Sequence, residues 1–287
     1  MIWLILSFLA ATSASLCEAF SKKSLDFVDE YAAAFWLTLF ALPLVLCLLV
    51  FSGIPQLGSQ FWYVLIADCA LCSLALILYM RAIKLSDISL SAPLLSFSPL
   101  FLLLTSPFLV AEFPTGMGLT GILLVVAGAY VLNISESRKG LLEPIRAILA
   151  APGPKLMLCV ALLWSFSSNL HKIGIHNSST TFWLFSLYAM NCIVLFIVMR
   201  IKSKTGIRKA LSNAKTLAPI GFFTAISDMF TLTAMTLTLV AYAISIKRLS
   251  SVITVLIGHF VFKEKGLKER LAGAAIMVLG VALIALS

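Results

Sequence analysis

The sequence predicts an all-α integral membrane protein with ten transmembrane helices. Of its 287 residues, 61% are hydrophobic and 11% charged, and the mean hydropathy of +1.07 lies well above that of soluble globular domains. Apolar stretches recur along the whole chain, each with about the 17–25 residues that a membrane-spanning helix needs. The ten predicted spans, numbered in chain order, are residues 3–20, 31–51, 61–81, 88–111, 116–134, 156–172, 181–199, 216–237, 240–262 and 271–286.

The connections between the spans are short. The longest, residues 135–155, leaves no room for a soluble catalytic or nucleic-acid-binding domain. Most of the net charge of +9 lies in the connections, where Lys and Arg set membrane orientation, so we predict no nucleic-acid partner. The sequence contains no Walker motif and no cluster of Asp, His and Glu at a membrane face, so we expect no enzyme activity.

A five-helix unit occurs twice in the chain. Residues 82–134 align with residues 234–286 without a gap, and the same residue types recur at matching positions. The matched pairs include Glu112 with Glu264, Gly121 with Gly273 and Gly128 with Gly280. We therefore predict a first five-helix repeat (1–134), a central cytoplasmic connection (135–155) and a second, inverted five-helix repeat (156–287).

The basic residues agree with this inversion, which an odd number of helices per repeat requires. The connections after the odd-numbered spans hold 18 of the 21 Lys and Arg residues. The even-numbered connections and both termini together hold one, and the remaining two are Lys247 and Arg248. By the positive-inside bias, the odd-numbered connections are predicted to be cytoplasmic and both termini to lie on the other side.

The whole chain resembles the EamA branch of the drug/metabolite transporter superfamily. Each half ends in an acidic residue and a glycine-spaced helix, "E…GLTGILLVVAGAYVL" and "KEKGLKERLAGAAIMVLGVALIAL", and span 6 contains "LLWSFSSNLHK". The resemblance implies a multi-pass integral membrane protein, in the inner or plasma membrane if the source is bacterial. It also implies transport of a small molecule, and no cofactor is expected.

Span 9 carries two cations, Lys247 and Arg248, in "AISIKRLSSVITVLIG". An uncompensated Lys or Arg near a helix centre costs roughly 2.5–3.5 kcal/mol, which favours a functional role for the pair. The alternative is that both side chains snorkel to the membrane interface. This stretch is similar to the triose-phosphate and nucleotide-sugar translocators of the same superfamily, and the resemblance implies that the pair meets a phosphate of the substrate.

Two aspartates in the spans are further candidates. Asp68 in span 3 is predicted at a depth similar to that of the cationic pair, as its counter-ion or in a proton-coupled site, with helix capping as the alternative. Asp228, near the middle of span 8, is predicted to face the interior. Four other residues could donate hydrogen bonds to a polar substrate or, alternatively, to a backbone carbonyl of their own helix: Tyr79, Ser96, Ser245 and Asn169.

No metal site is predicted. His171 and His176 flank a helix end, and the neighbouring sequence offers them no carboxylate or cysteine ligand. Cys69 and Cys72 form a CxxC pattern, which we interpret as small apolar packing inside a membrane helix. Glu18, near the end of span 1, is interpreted as interfacial.

Proline and glycine positions add two expectations about packing. Three prolines are predicted to bend or break span 4 beside a cavity, because each removes a backbone donor: Pro93, Pro99 and Pro107. Glycines spaced seven apart are predicted to form close-packing faces on spans 5 and 10.

These patterns together predict a secondary transporter that moves a small anionic organic metabolite by rocking two halves around a central cavity. The alternative is an exporter of amino acids or amphipathic cations, in which Asp68 and Asp228 dominate and Lys247 pairs with one of them. From another class, the alternative is a non-transporting membrane scaffold or receptor. The expected partners are the substrate and membrane lipid, with the protein a monomer or a homodimer.

Overall fold

The computed structural model describes residues 1–86, 91–134, 151–205, 207–262 and 267–287, and within them all regular secondary structure is helical. The elements are α1 (Ile2–Ser24), α2 (Glu30–Ser52), α3 (Phe61–Leu85), a 3₁₀ helix (Ala92–Phe97), α4 (Ser98–Leu109), α5 (Gly116–Ile134), α6 (Pro152–His176), α7 (Thr180–Lys202), α8 (Ile207–Ser212), α9 (Ala214–Leu237), α10 (Val240–Lys247), α11 (Ser250–Phe262) and α12 (Leu267–Ala285). Most of the predicted central connection and part of span 4 lie outside the described residues.

Six of the described helices are long and apolar enough to cross a membrane: α1, α2, α3, α6, α7 and α9. Shorter apolar helices lie at Leu94–Leu109, Gly116–Val131 and Ala272–Ala285. Large apolar side chains such as Phe51 and Phe108 are almost fully exposed, as they are on a surface that faces lipid. The chain is therefore an integral, multi-pass membrane protein.

Spans 4 and 9 are not continuous helices. The prediction of one helix over residues 240–262 is wrong, because α10 ends at Lys247 and α11 begins only at Ser250. Ser251 stabilises the intervening turn by donating its N–H (3.1 Å) and its hydroxyl (2.8 Å) to the carbonyl of Arg248.

In span 4, the predicted interruption is seen as the 3₁₀ helix before α4, with a proline in the first turn of each element. In the repeat register, residues 92–97 correspond to residues 244–249, so the two interruptions are equivalent.

The most extensive helix packing joins the two sequence halves. Helix α5 packs on α12, α1 on α9, α3 on α6, and α2 on both α7 and α9. In the predicted repeat, α1 corresponds to α6 and α3 corresponds to α9. The α1–α9 contact therefore has its counterpart in the α6–α3 contact. The sequence halves are therefore interleaved in the fold.

The α5–α12 contact is a direct approach of two backbones. A Cβ atom added at Gly121 or at Gly128 would lie 2.6 Å from the carbonyl oxygen of Gly280 or Gly273, respectively. Only glycine fits at such a distance, so the predicted glycine packing faces are confirmed. Because Gly121 aligns with Gly273 and Gly128 with Gly280, the two glycine contacts correspond to each other in the predicted repeat.

The connections between helices gather at the two ends of α2, which is about 34 Å long at 1.5 Å per residue. At its start, Asp29 accepts a hydrogen bond of 2.6 Å from the hydroxyl of Ser203, in the connection after α7. Beyond its end, the N–H of Gly58 donates to the carbonyl of Asn177, between α6 and α7, at 2.8 Å. The connections after spans 1 and 7 thus lie at one end of α2, and the connections after spans 2 and 6 lie at the other end.

One lysine at each end of the molecule ties two helices together. In the Lys22 contact, the ammonium group of α1 donates to the carbonyls of Ile83 (2.9 Å) and Ser86 (2.6 Å) at the end of α3. In the Lys172 contact, the ammonium group of α6 forms an ion pair with Glu112 and donates to the carbonyl of Thr238 at 3.0 Å. In the predicted repeat register Ser86 corresponds to Thr238, so the two lysines bind carbonyls at matching positions.

Candidate functional site

A cavity of about 160 Å³ lies in the interior and is lined by α1, α2, α3, α6, α7, α9, α10 and the two helix interruptions. Apolar side chains such as Leu37 and Leu187 form part of its wall. The charged, histidine and aromatic residues of the lining are Glu18, Tyr79, Trp164, His171, Tyr188, Asp228, Lys247 and Arg248. A mainly apolar cavity with a few converging polar groups is the usual form of a small-molecule site.

Arg248 lies in the turn that separates α10 from α11, and only 6% of its surface is exposed. Its Nε donates to the hydroxyl of Ser98 at 2.9 Å, and its guanidinium carbon lies 5.8 Å from the ring centroid of Trp164. No carboxylate of the described residues lies within ion-pair distance of it. Arg248 is therefore a buried cation stabilised by a hydroxyl and an aromatic face.

Lys247 is paired with an acid on the neighbouring helix. Its Nζ lies 3.0 Å from Oδ1 of Asp228, whose Oδ2 accepts a hydrogen bond of 2.7 Å from Tyr188. The prediction that Asp68 is the counter-ion of Lys247 or Arg248 is wrong, since the ion pair of Asp68 is with His171. The prediction that Asp228 faces the interior is confirmed.

Glu18 is also part of the cavity wall. Only 5% of its surface is exposed, and its Oε2 accepts a hydrogen bond of 2.6 Å from the hydroxyl of Thr254 on α11. Its interpretation as interfacial is wrong, because α1 continues to Ser24, beyond the apolar stretch, and places Glu18 inside the bundle.

Asp68 is fully buried behind the cavity, between α3 and α6. Its Oδ1 accepts a hydrogen bond of 2.6 Å from Ser167 and lies 3.6 Å from Sγ of Cys72, while its Oδ2 lies 2.7 Å from Nδ1 of His171. That nitrogen also accepts the indole N–H of Trp183 at 3.2 Å. We call Asp68, Cys72, Ser167 and His171 the Asp68 cluster.

The Asp68 cluster contains donor atoms that could hold a metal ion. The expectation that His171 lacks a carboxylate or cysteine neighbour is therefore wrong. These neighbours lie on α3, far from His171 in sequence, and become adjacent only because α3 packs on α6.

The four predicted hydrogen-bonding residues occupy different places. Tyr79 lines the cavity, with its ring 5.2 Å from that of Trp164. Ser245 donates to the carbonyl of Ala241 in its own helix at 2.6 Å. The other two, Asn169 and Ser96, are buried outside the lining, and Asn169 links α6 to α4 by accepting a hydrogen bond of 2.8 Å from Ser106.

Comparisons with known proteins found a matching family profile and a similar solved structure, each covering nearly the whole chain. The sequence profile of the EamA-like transporter family matches residues 1–134 and again residues 151–286. No curated protein sequence matches the chain. A solved crystal structure is similar over 99% of this chain and 98% of its own, with a TM-score of 0.73 and 17% sequence identity, which shows a shared fold.

Proposed function

Because the chain belongs to the EamA-like transporter family, we propose that it is a secondary transporter of a small anionic organic metabolite. The observation that supports the anionic substrate is Arg248, a cation on the cavity wall without a carboxylate partner among the described residues. A carboxylate or phosphate in the cavity would supply a direct ion-pair partner.

The chemistry of guanidinium suits this role. Among the hydrogen bonds of the described residues, Arg248 uses only Nε, which leaves its two terminal NH₂ groups for a ligand. Such a planar fork can bind a carboxylate or phosphate through two parallel hydrogen bonds. The guanidinium lies over the ring of Trp164, and this cation–π contact helps to orient it before the substrate arrives.

We further propose that the moving bodies are two mixed bundles and not the two sequence halves. Rocking the halves apart would separate α1 from α9 and α3 from α6, which are among the most extensive contacts in the molecule. One bundle contains α1, α9, α10 and α11, and the other contains α3, α6, the 3₁₀ helix and α4. The repeat register maps one bundle onto the other, and the cavity lies between them.

The Lys22 and Lys172 contacts are suited to alternate opening of this cavity. Each joins the two bundles, one at each end of the molecule. Breaking one contact while the other is kept would open the cavity to one side of the membrane only. Such alternating access needs a gradient or substrate exchange for energy, because the sequence has no Walker motif.

Three observations support the ten-span, inverted-repeat arrangement on which this mechanism depends. The family profile matches the chain in two segments, exchange of the repeats converts contacts between the halves into one another, and the connections after spans 1 and 7 lie at the opposite end of α2 from those after spans 2 and 6. Interrupted helices at equivalent positions beside the cavity are also typical of secondary transporters with inverted repeats.

Anion counterflow in liposomes tests the substrate class. We expect Arg248→Leu to abolish counterflow of labelled phosphorylated sugars or carboxylates, and Arg248→Lys to weaken substrate binding, because the charge stays but the fork is lost. Arg200→Leu, at an exposed arginine in the last turn of α7, is the matched control and should transport normally. Wild-type counterflow by Arg248→Leu, at equal protein level, would overturn the anionic substrate.

Export of amino acids or amphipathic cations is the second candidate. The ion pair of Lys247 with Asp228 and the position of Glu18 on the cavity wall favour it, because two carboxylates then face the substrate. In that case Asp228→Asn would abolish counterflow of amino acids, and wild-type protein would not exchange phosphorylated sugars.

A further inference from the structure

We propose that the Asp68 cluster binds a thiophilic divalent metal ion of the zinc type. A carboxylate oxygen of Asp68, the sulfur of Cys72 and an imidazole nitrogen of His171 all lie within 4.8 Å of one another. Oxygen, sulfur and nitrogen donors of these types are the ligands that zinc takes in proteins.

The two packed helices bring these donors together in a regular way. On α3, Asp68 and Cys72 are four residues apart and share a face, and the same holds for Ser167 and His171 on α6. Because α3 and α6 pack closely along their length, the two faces meet inside the protein. The donor set is thus carried by rigid helices and not by loops, which favours a defined metal geometry.

The Ser167 hydroxyl lies at the position that we propose for the ion. Its hydroxyl oxygen lies 2.6 Å from Oδ1 of Asp68, 3.1 Å from Sγ of Cys72 and 3.4 Å from Nε2 of His171. Bonds from zinc to such donors measure about 2.0–2.3 Å. Rotation of the Ser167 side chain and a small inward shift of the three donors would therefore leave a position that fits an ion.

The second carboxylate oxygen supports this arrangement. Oδ2 of Asp68 is buried and has no hydrogen bond from any described residue, although it lies 2.7 Å from Nδ1 of His171. Coordination through Nε2 would fix the remaining imidazole proton on Nδ1, and Oδ2 would then accept it. The indole N–H of Trp183, which donates to the unprotonated Nδ1 at 3.2 Å, would lose that hydrogen bond. A carboxylate in this position orients the histidine ligand in many metal sites.

Charge balance gives an independent reason. The carboxylate of Asp68 is fully buried and forms no ion pair with a described Lys or Arg. A divalent ion bound by this carboxylate, the Cys72 thiolate and a neutral His171 makes a site with no net charge, which a low-dielectric interior tolerates. The Cys72 thiol loses its proton to the cavity on binding, so affinity should fall as the pH falls.

The site can be reached from the cavity. Cys72, Ser167 and His171 belong to its wall, whereas Asp68 lies behind them. A bound ion would therefore direct its open coordination position toward the cavity. The proposal does not depend on which substrate is transported.

Titration of the purified, metal-free full chain in detergent with Co²⁺ tests the site. We expect a thiolate-to-cobalt charge-transfer absorption with one ion per chain, lost when Zn²⁺ displaces Co²⁺. Cys72→Ser should abolish this absorption, and Asp68→Asn and His171→Gln should weaken binding at least about tenfold. The control is Cys69→Ser, a buried cysteine of the same helix outside the cluster, which should bind normally.

A second measurement needs no substitution. Zn²⁺ should slow alkylation of Cys72 in the wild-type protein, followed by mass spectrometry, and should leave Cys17, a cavity residue outside the cluster, unaffected. The proposal is overturned if Co²⁺ gives no thiolate absorption, if Cys72→Ser retains that absorption, or if Zn²⁺ leaves the alkylation rate of Cys72 unchanged.

Discussion

Asp29 uses a single carboxylate to join the start of α2 to the connection after α7. Its Oδ1 caps α2 by accepting the N–H of Ala32 at 2.9 Å. Its Oδ2 accepts the hydroxyl of Ser203 (2.6 Å) and the N–H groups of Lys204 (2.8 Å) and Thr205 (2.9 Å). Partial burial acts to raise the pKa of Asp29, but these hydrogen bonds outweigh it and hold the pKa below its ordinary value.

Stability should therefore depend on pH through Asp29. A pKa that is lower in the folded state than in the unfolded state means that the ionised form stabilises the fold. This contribution is present above the unfolded value, about 3.9, and is lost as the pH falls through the folded value. We expect Asp29→Asn to lower the thermal unfolding midpoint in detergent at pH 7.

The pH series distinguishes this effect from a general loss of stability. The difference between wild type and Asp29→Asn should disappear as the pH falls below the folded pKa of Asp29. Asp26→Asn, an exposed aspartate in the same connection, serves as the control and should follow wild type throughout. An undiminished difference in acid would contradict the role given to the carboxylate.

The sequence identified several cavity residues, but it left the partner of Lys247 open between Asp68 and Asp228. Lys247, Arg248, Asp228 and Tyr79 were predictable, because charged or polar groups inside apolar spans are costly without a role. The Lys247–Asp228 pair and the position of Glu18 depend on how each helix is rotated about its own axis. In helices that are apolar on all sides, the sequence carries little information on that rotation.

Replacing a closely packed glycine of α5 should lower the stability of the protein by a measurable amount. A methyl group at Gly121 would meet the backbone of Gly280, which cannot move aside as a flexible side chain can. We expect Gly121→Ala to destabilise the protein by about 1–3 kcal/mol, as overpacking does in other interiors. Thermal unfolding in detergent measures this effect.

Gly116 provides the matched control on the same helix. Nothing lies within 4 Å of a Cβ atom added at Gly116, so Gly116→Ala should leave the unfolding midpoint nearly unchanged. Equal stability of both alanine variants would show that the α5–α12 contact is less close than described.

Element boundaries followed from the sequence only where hydropathy and helix continuity coincide. The predicted spans that match α2, α3 and α9 are continuous apolar helices. Hydropathy reports where apolar residues lie and not whether the backbone hydrogen bonds run without interruption. Prolines signalled the interruption in span 4, whereas in span 9 the only signals were the cationic pair and the two serines that follow it.

Orientation in the membrane is a prediction at the scale of the whole molecule. The positive-inside bias predicts that the connection after α7 lies in the cytoplasm and that Ser287, which follows α12, lies on the other side. Cysteines introduced at the exposed Lys204 and at Ser287 should react with a membrane-impermeant reagent from opposite sides of intact vesicles. The unsubstituted chain serves as the blank. Labelling of both positions from one side would exclude the inverted topology.

The interleaving of the two halves determines when the protein can assemble. Helix α1 is synthesised well before its main partner α9, because eight other described helical elements lie between them. Contacts between such distant segments form late, and their surfaces stay uncovered until then. Throughout most of translation, lipid must therefore occupy the surfaces that become protein interior, and the cavity comes into existence only when α10 has entered the membrane.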